Sequence, residues 1–142
     1  MIEGETMSIT QIVTDIQHIG LPTPDLYATI AFYTKLGFQM IPDAVDPERR
    51  HRVAFLKKGN LIIETFQRAE TAMHAGAWDH IALDVASIED AYTWAVQQGL
   101  EILEDGVQML PFFSHGVRYF TVVGPAGEKV EFNMRLSGNG CS

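Results

Sequence analysis

Gln17-His18-Ile19-Gly20-Leu21 is the stretch that decides the fold, because it returns later in the chain as Asp79-His80-Ile81-Ala82-Leu83. The two stretches lie 62 positions apart, and the same spacing relates Gly37 to Gly99. A spacing that is kept without a gap indicates an internal duplication of one structural unit. Each half of the chain therefore begins with a histidine, and we expect one kind of site to be built twice.

Composition limits the classes of protein that the chain can belong to. Its 142 residues are 46% hydrophobic and 20% charged, which is typical of a folded domain or of two small fused half-domains with one core. Ten Lys and Arg stand against 18 Asp and Glu, a net charge of −8 that disfavours nucleic acid and anionic membranes as partners.

The sequence also predicts where the protein is found. Its single cysteine, Cys141, has no partner within the chain, which fits a reducing compartment. No apolar run approaches the length of a membrane span, and the first 14 residues lack the basic and apolar regions of a signal peptide. We therefore expect a cytoplasmic protein that does not associate with membranes.

The first half is predicted to contain a strand, a helix and three further strands. Thr23-Pro24 is typical of an N-cap followed by proline at the first helical position. Gly37 is expected to end that helix. The strands are predicted at residues 15–21, 38–41, 53–56 and 60–66.

The second half repeats this order. Ser87 is expected to cap its helix, with Asp90 in the first turn, and Gly99 to end it. Strands are predicted at residues 79–85, 100–103, 118–123 and 129–134, with a loop at 104–116. The sequence thus predicts an α+β fold of two tandem βαβββ modules that form a cupped mixed sheet. The modules span about 15–67 and 79–136, between an N-terminal extension at 1–14 and a flexible tail at 137–142.

Each half carries a histidine on its first strand and a glutamate on its last, giving the pairs His18 with Glu64 and His80 with Glu131. Each of these residues taken alone is more typical of a hydrogen-bonded histidine or a solvated glutamate. Together they are harder to explain in that way, because unpaired carboxylates on an inner sheet face are costly to bury. We interpret the four as ligands of one divalent metal per site, and the mixed nitrogen and oxygen set suits zinc, nickel, cobalt, manganese or iron.

These motifs resemble the vicinal oxygen chelate superfamily, which includes glyoxalase I, methylmalonyl-CoA epimerase, extradiol dioxygenases and fosfomycin-resistance proteins. The resemblance runs from about Ile16 to Leu136. Its motifs are His18-Ile-Gly, Ile30-Ala-Phe-Tyr-Thr-Lys-Leu-Gly-Phe38, Leu61-Ile-Ile-Glu64, Asp79-His-Ile-Ala-Leu83 and Gly124-Pro-Ala-Gly-Glu-Lys-Val-Glu131. It implies paired modules around a metal whose ligands fall on His18, Glu64, His80 and Glu131. Glutamate in the second of these places is similar to glyoxalase I.

The resemblance also implies a chemistry for the site. A metal that chelates two neighbouring substrate oxygens neutralises the charge that develops during proton transfer. Glu64 or Glu131 would move the proton, and two carboxylates in one site titrate as a coupled pair. A homodimer is implied as well, and the site is expected either within one chain or across two.

Several other residues are candidates for contact with a small-molecule substrate. His115 and Arg118 flank a glycine in an aromatic-rich loop, and Asn133 shares the strand face of Glu131. Arg68 stands where similar glutathione-dependent enzymes have an asparagine, and Pro22 where they have an arginine. Glutathione is therefore not expected to be held in the usual way, although Arg68 suits an anionic group.

Our leading hypothesis is a metal-dependent, glyoxalase I-like lyase or isomerase that acts by proton transfer next to a carbonyl. The alternatives are an epimerase of a 2-substituted acyl compound and a metal-free small-molecule-binding protein of the bleomycin-resistance kind.

Overall fold

The computed structural model describes residues 8–12, 14, 16–42, 52–76 and 78–138. Most of the predicted N-terminal extension, the tail from 139 onward and Cys141 lie outside these residues. The elements in chain order are α1 (Ile9–Ile12), β1 (Ile19–Thr23), α2 (Leu26–Lys35), β2 (Gln39–Met40), β3 (Val53–Lys58), β4 (Leu61–Gln67), β5 (His80–Asp84), α3 (Ile88–Gln97), β6 (Gln108–Leu110), β7 (Val117–Val123) and β8 (Lys129–Arg135).

The strands form two four-stranded sheets of the same topology. The first has the order β1-β4-β3-β2 and the second the order β5-β8-β7-β6. In each sheet the first strand of the module is parallel to the last, and the other neighbours are antiparallel. The predicted α+β class and the two βαβββ modules are confirmed, and the mixed sheet consists of two separate four-stranded sheets.

One hydrophobic core serves both modules. It joins side chains from α2 and α3 to those on one face of each sheet, such as Leu56 and Ile63 in the first and Phe120 and Val130 in the second. These four side chains are at most 1% exposed. Because successive side chains on a strand point to opposite faces, the residues between them lie on the other face of each sheet.

Local sequence signals set the start of α3 and the ends of α2 and α3. The Ser87 hydroxyl accepts a hydrogen bond from the Asp90 amide at the start of α3, which confirms the predicted cap. Gly37 and Gly99 follow α2 and α3 with φ of 95° and 69°, a conformation that glycine adopts without strain.

The predicted cap of α2 was wrong. Asp25, not Thr23, is the N-cap, and its carboxylate accepts the amide hydrogen of Ala28. Thr23 is the last residue of β1, fully buried, and its hydroxyl accepts a hydrogen bond from that of Thr29. Both residue types are good caps, so the pairing of Thr23 with Gln67 on β4 decides between them.

The edge of the second sheet also differs from the prediction. Residues 100–103 make only one isolated bridge, between Ile102 and Val122, and the strand β6 lies inside the predicted loop. The reason is Glu104, whose carboxylate accepts the amide hydrogen of Thr121 at 2.7 Å. This side chain occupies a ladder position, so the edge strand is interrupted and resumes at Gln108.

Residues 68–76 and 78 link the modules, and we call them the connector. Met73 lies against the β7–β8 turn, where a Cβ atom on Gly127 would overlap its backbone. Gly127 also has a φ of 77°. Among the described residues, no helix is long and apolar enough to cross a membrane.

Candidate functional site

In the first module, His18 and Glu64 lie side by side on the sheet face that points away from the core. Nε2 of His18 is 3.9 Å from Oε1 of Glu64, and both side chains are 30% exposed. Nδ1 of His18 donates a hydrogen bond to Oε1 of Gln17 at 3.0 Å. The imidazole and the ring of Phe55 of β3 make a T-shaped contact, with ring centroids 5.5 Å apart. The ring is thus oriented with Nε2 towards the glutamate.

The second module holds His80 and Glu131 in the same relation. Nε2 of His80 is 3.5 Å from Oε1 of Glu131, and Nδ1 is 2.9 Å from Oδ2 of Asp79. Nζ of Lys129 donates to the other oxygen of Asp79 at 3.2 Å. The second oxygen of Glu131 accepts a hydrogen bond from Asn133 at 2.8 Å. We refer to the face that carries these pairs in either sheet as the His–Glu face.

The two pairs match because the strand register is the same in both modules. Gly20 of β1 lies opposite Glu64 of β4, and Ala82 of β5 lies opposite Glu131 of β8. Each histidine therefore lies two residues before the position that is opposite its glutamate. With a period of two residues, all four side chains lie on the His–Glu faces.

The residue before each histidine also has a role that the sequence prediction missed. A carboxylate or amide oxygen accepts hydrogen bonds, so Gln17 and Asp79 each fix the proton of the neighbouring ring on Nδ1. Nε2 then faces the glutamate, which is the ring orientation of histidines that bind metals. The hydrogen bonds from His80 and Lys129 lower the pKa of Asp79, which keeps it a carboxylate. In the repeat, the residue before each histidine carries a side-chain oxygen acceptor, and this shared feature could have predicted the role.

The two pairs do not meet within one copy of the chain. Across residues 8–12, 14, 16–42, 52–76 and 78–138, no group of three or more His, Cys, Asp or Glu side chains is placed to share a metal ion. The structure thus brings the four predicted ligands together as two pairs.

Two clefts in the part of the chain that the structure describes lie away from the His–Glu pairs. A cleft of ≈ 460 Å³ is lined by residues of β2 and the β3–β4 turn, such as Met40 and Lys58. Another of ≈ 370 Å³ lies between the modules, next to Leu61 and Leu83. Neither of these two is lined by a residue of the His–Glu pairs. An open sheet face in a single copy does not form an enclosed pocket.

The remaining predicted substrate residues lie in different surroundings. Arg68 follows β4, and its guanidinium lies over the ring of Phe66, 5.0 Å from the centroid. His115 is exposed in the turn between β6 and β7, where its ring lies near Gly138. Asn133 contacts Glu131 as described above.

Arg118 lies on the core side of the second sheet. It is opposite Met134 in the ladder and forms an ion pair with Glu89 of α3. This contact lowers the pKa of the Glu89 carboxyl. The register therefore separates Arg118 from the His–Glu face.

Comparison with known proteins supports a single family. The family model of the Glyoxalase/Bleomycin resistance protein/Dioxygenase superfamily matches residues 15–132. The uncharacterized protein YwbC of Bacillus subtilis (strain 168) is 32% identical over 125 residues, which cover 84% of this chain and 97% of YwbC.

Solved structures show the same fold at lower identity. A glyoxalase family protein from Enterococcus faecalis is 22% identical with a TM-score of 0.66, and covers 86% of this chain and 98% of its own. The bleomycin resistance determinant encoded on transposon Tn5 is 22% identical with a TM-score of 0.61, at the same coverage. A glyoxalase/dioxygenase from Nostoc punctiforme is 19% identical with a TM-score of 0.69, and covers 94% of this chain and 99% of its own. With its duplicated βαβββ modules and this match over most of its length, the chain belongs to the Glyoxalase/Bleomycin resistance protein/Dioxygenase superfamily.

Proposed function

We propose that the protein is a divalent-metal-dependent lyase or isomerase of the glyoxalase I-like kind, which moves a proton next to a carbonyl of a small oxygenated substrate. One observation carries the proposal: both modules place Nε2 of a histidine next to a glutamate oxygen, with Nδ1 held by the preceding residue. Two ligands of one ion are expected to be held in this way, with Nδ1 donating to a neighbour and Nε2 facing the second ligand.

The spacing of each pair fits two ligands of one ion. Donor atoms held at about 2.1 Å from a metal lie roughly 3.0 Å apart in octahedral geometry and about 3.4 Å apart in tetrahedral geometry. The observed separations of 3.9 Å for His18 with Glu64 and 3.5 Å for His80 with Glu131 are slightly larger. A small rotation of each glutamate closes the difference. Zinc, nickel, cobalt, manganese or iron would supply a Lewis acid that polarises the substrate carbonyl.

The complete site is proposed to lie between two copies of the chain. A twofold axis would place His18 and Glu64 of one copy against His80 and Glu131 of the other, and would form two such sites per homodimer. This arrangement uses both pairs of each copy and requires no change in how the modules pack.

Within that site, Glu131 is the better candidate for the base that moves the proton. Its side chain is 16% exposed, against 30% for Glu64, and Asn133 fixes one of its oxygens. The other oxygen is left facing His80. A base of fixed orientation close to the reacting carbon transfers a proton efficiently. Glu64 would then act mainly as a ligand.

A complementation experiment tests the shared site. His18→Ala and His80→Ala each remove a ligand from every site of their own homodimer. If the site is shared, a mixed dimer of the two variants has one intact site, so random mixing restores metal to about a quarter of all sites. Metal content is measured by elemental analysis after exchange with zinc, nickel or manganese.

The matched control mixes His18→Ala with Glu64→Gln, which both damage the first pair and leave no intact site in any dimer. Restored metal in the first mixture and none in the control is the expected outcome. No restoration in either mixture, with full metal in the wild type, would place the site within one chain. No metal in the wild type after exchange would refute the proposal.

The second candidate is a metal-free binding protein of the bleomycin-resistance kind. It is favoured by the finding that, among the described residues, the two pairs stay apart in one copy. Elemental analysis separates it from the metal enzyme. Screening hemithioacetals, 2-oxo sugars and acyl-CoA thioesters then distinguishes the lyase from the epimerase. The cytoplasmic location of the protein stays a prediction.

A further inference from the structure

Arg135 lies at the far end of the strand that carries Glu131. It is the last residue of β8 and shares the His–Glu face with Glu131 and Asn133, since the three alternate along the strand. In the ladder it lies opposite Val117. Four residues of a strand span about 13 Å, so Arg135 lies at the rim of the second module's His–Glu face.

The guanidinium of Arg135 is stacked on an aromatic ring. Its Cζ lies 3.8 Å from the ring centroid of Phe113, a residue of the β6–β7 loop that is 65% exposed. Phe113 has a φ of 60°, a conformation that bulky residues rarely adopt. The loop thus holds an apolar ring in solvent directly under the cation. Stacking occupies the flat side of the guanidinium and leaves the donors at its edge free.

The charge of Arg135 is not neutralised by the part of the chain that the structure describes. Its contact is the ring of Phe113, whereas Arg118 pairs with Glu89 and Lys129 pairs with Asp79. This is unexpected in a chain with a net charge of −8. A cation that is oriented by an aromatic ring and lacks a carboxylate partner is available to an anionic ligand.

The first module repeats the arrangement. Arg68 follows Glu64 by four residues, as Arg135 follows Glu131. Its guanidinium also stacks on an aromatic ring, that of Phe66. The duplication therefore extends beyond the His–Glu pairs to an arginine on an aromatic ring at the rim of each module.

We propose that Arg135, stacked on Phe113, binds a carboxylate or phosphate group of the substrate. Arg68 on Phe66 is the equivalent subsite of the first module. The planar guanidinium presents two parallel donors to either anion, which a lysine does not. The inference rests on the proposed function in one respect, because it takes the bound anion to be one end of that enzyme's substrate. The substrate is then an elongated anion. Its anionic group lies roughly 13 Å from the carbonyl at the His80–Glu131 pair, the span of four strand residues.

The experiment measures anion binding directly and needs neither metal nor turnover. The arginine Nε–H signals of ¹⁵N-labelled protein are followed by NMR during titration with inorganic phosphate and, separately, acetate. Ionic strength is held constant with chloride, and Arg135→Gln assigns the signal. We expect a saturable shift of the Arg135 signal with a millimolar Kd. Tighter binding of phosphate or of acetate identifies which anion the subsite prefers.

Two variants make the test specific. Phe113→Leu should weaken binding by about two- to fivefold, which is the effect of a surface cation–π contact. Arg52, which stacks on Tyr27 of α2 at 5.4 Å and lies away from the His–Glu faces, is the matched control, and its signal should not saturate. A linear response of Arg135, or one identical to that of Arg52, would overturn the inference.

The design separates this inference from the proposed function. His80→Ala should lose metal but keep the anion response of Arg135. Anion binding in a wild type that takes up no metal would support the subsite and refute the metal enzyme. Metal uptake without an anion response would support the metal enzyme and refute the subsite.

Discussion

Tyr33 forms a partly buried hydrogen bond between the two modules, and its loss should have a measurable, pH-dependent cost. The ring lies in the core between Phe32 and Phe38, with centroid distances of 5.0 and 5.2 Å. Its hydroxyl donates to Oε2 of Glu128 in the β7–β8 turn at 2.8 Å. Tyr33→Phe keeps the packing but removes a hydrogen bond to a charged group. The free energy of unfolding should fall by about 1.5–3 kcal/mol at pH 7.

The effect should shrink at alkaline pH. Burial, together with the nearby Glu128 carboxylate, raises the pKa of Tyr33 well above its usual value near 10. Above pH 10 the unfolded chain loses this proton while the folded chain keeps it, so the wild type loses up to about 1.4 kcal/mol of stability per pH unit. The variant has no such group. Its deficit against the wild type should therefore fall by about 1.4 kcal/mol between pH 7 and pH 11.

Urea unfolding at pH 7, 10 and 11, at one fixed protein concentration, measures both effects. Tyr27→Phe is the matched control, because Tyr27 lies on the same helix and is 72% exposed. It should change stability by less than about 0.5 kcal/mol at pH 7. If Tyr33→Phe equals this control at pH 7, or if its deficit is the same at pH 7 and pH 11, the assignment of the hydrogen bond is wrong.

Three further predictions follow from single positions. Gly127→Ala should lower the free energy of unfolding by about 3 kcal/mol or more, because its Cβ would overlap the connector. Gly99→Ala, also at positive φ but in open space, should lower it by about 1 kcal/mol in urea unfolding. Equal losses for the two variants would exclude the overlap. Asp79→Asn should weaken metal affinity about 10- to 100-fold by loosening His80, as measured by competition with a chelator; unchanged affinity would show that Asp79 does not position the ring. Arg118→Gln should lower the free energy of unfolding by less than about 1 kcal/mol in thermal unfolding and leave the metal content unchanged, since its ion pair is on the core side. A loss of metal would show that Arg118 contributes to the metal site.

The sequence was most informative where one local rule decides the outcome. Period-two alternation put Asn133 on the strand face of Glu131, and the glycine signal placed the ends of α2 and α3. The duplication then gave the module order without any long-range information. These features depend on a few neighbouring residues, so they can be predicted from sequence.

Features that depend on tertiary contacts were not predictable in this way. Thr23 and Asp25 are both good N-caps, and only the pairing of β1 with β4 decides between them. The break before β6 comes from Glu104 reaching an amide 17 residues away. The run Val117–Val123 has no clean alternation of apolar and polar residues, so the side of the sheet on which Arg118 lies is fixed only by its register with β8.

The packing of the core explains why the two His–Glu pairs stay apart and why we expect a second copy. The buried cluster is built from the faces opposite the pairs, and it includes residues of α2 and α3. On β5, the residues of the His–Glu face, His80, Ala82 and Asp84, are all exposed. Bringing the two pairs together within one copy would require the shared core to be opened, at the cost of burying less apolar surface. A twofold partner brings the same faces together without that cost, so the fold itself favours a site that is completed between chains.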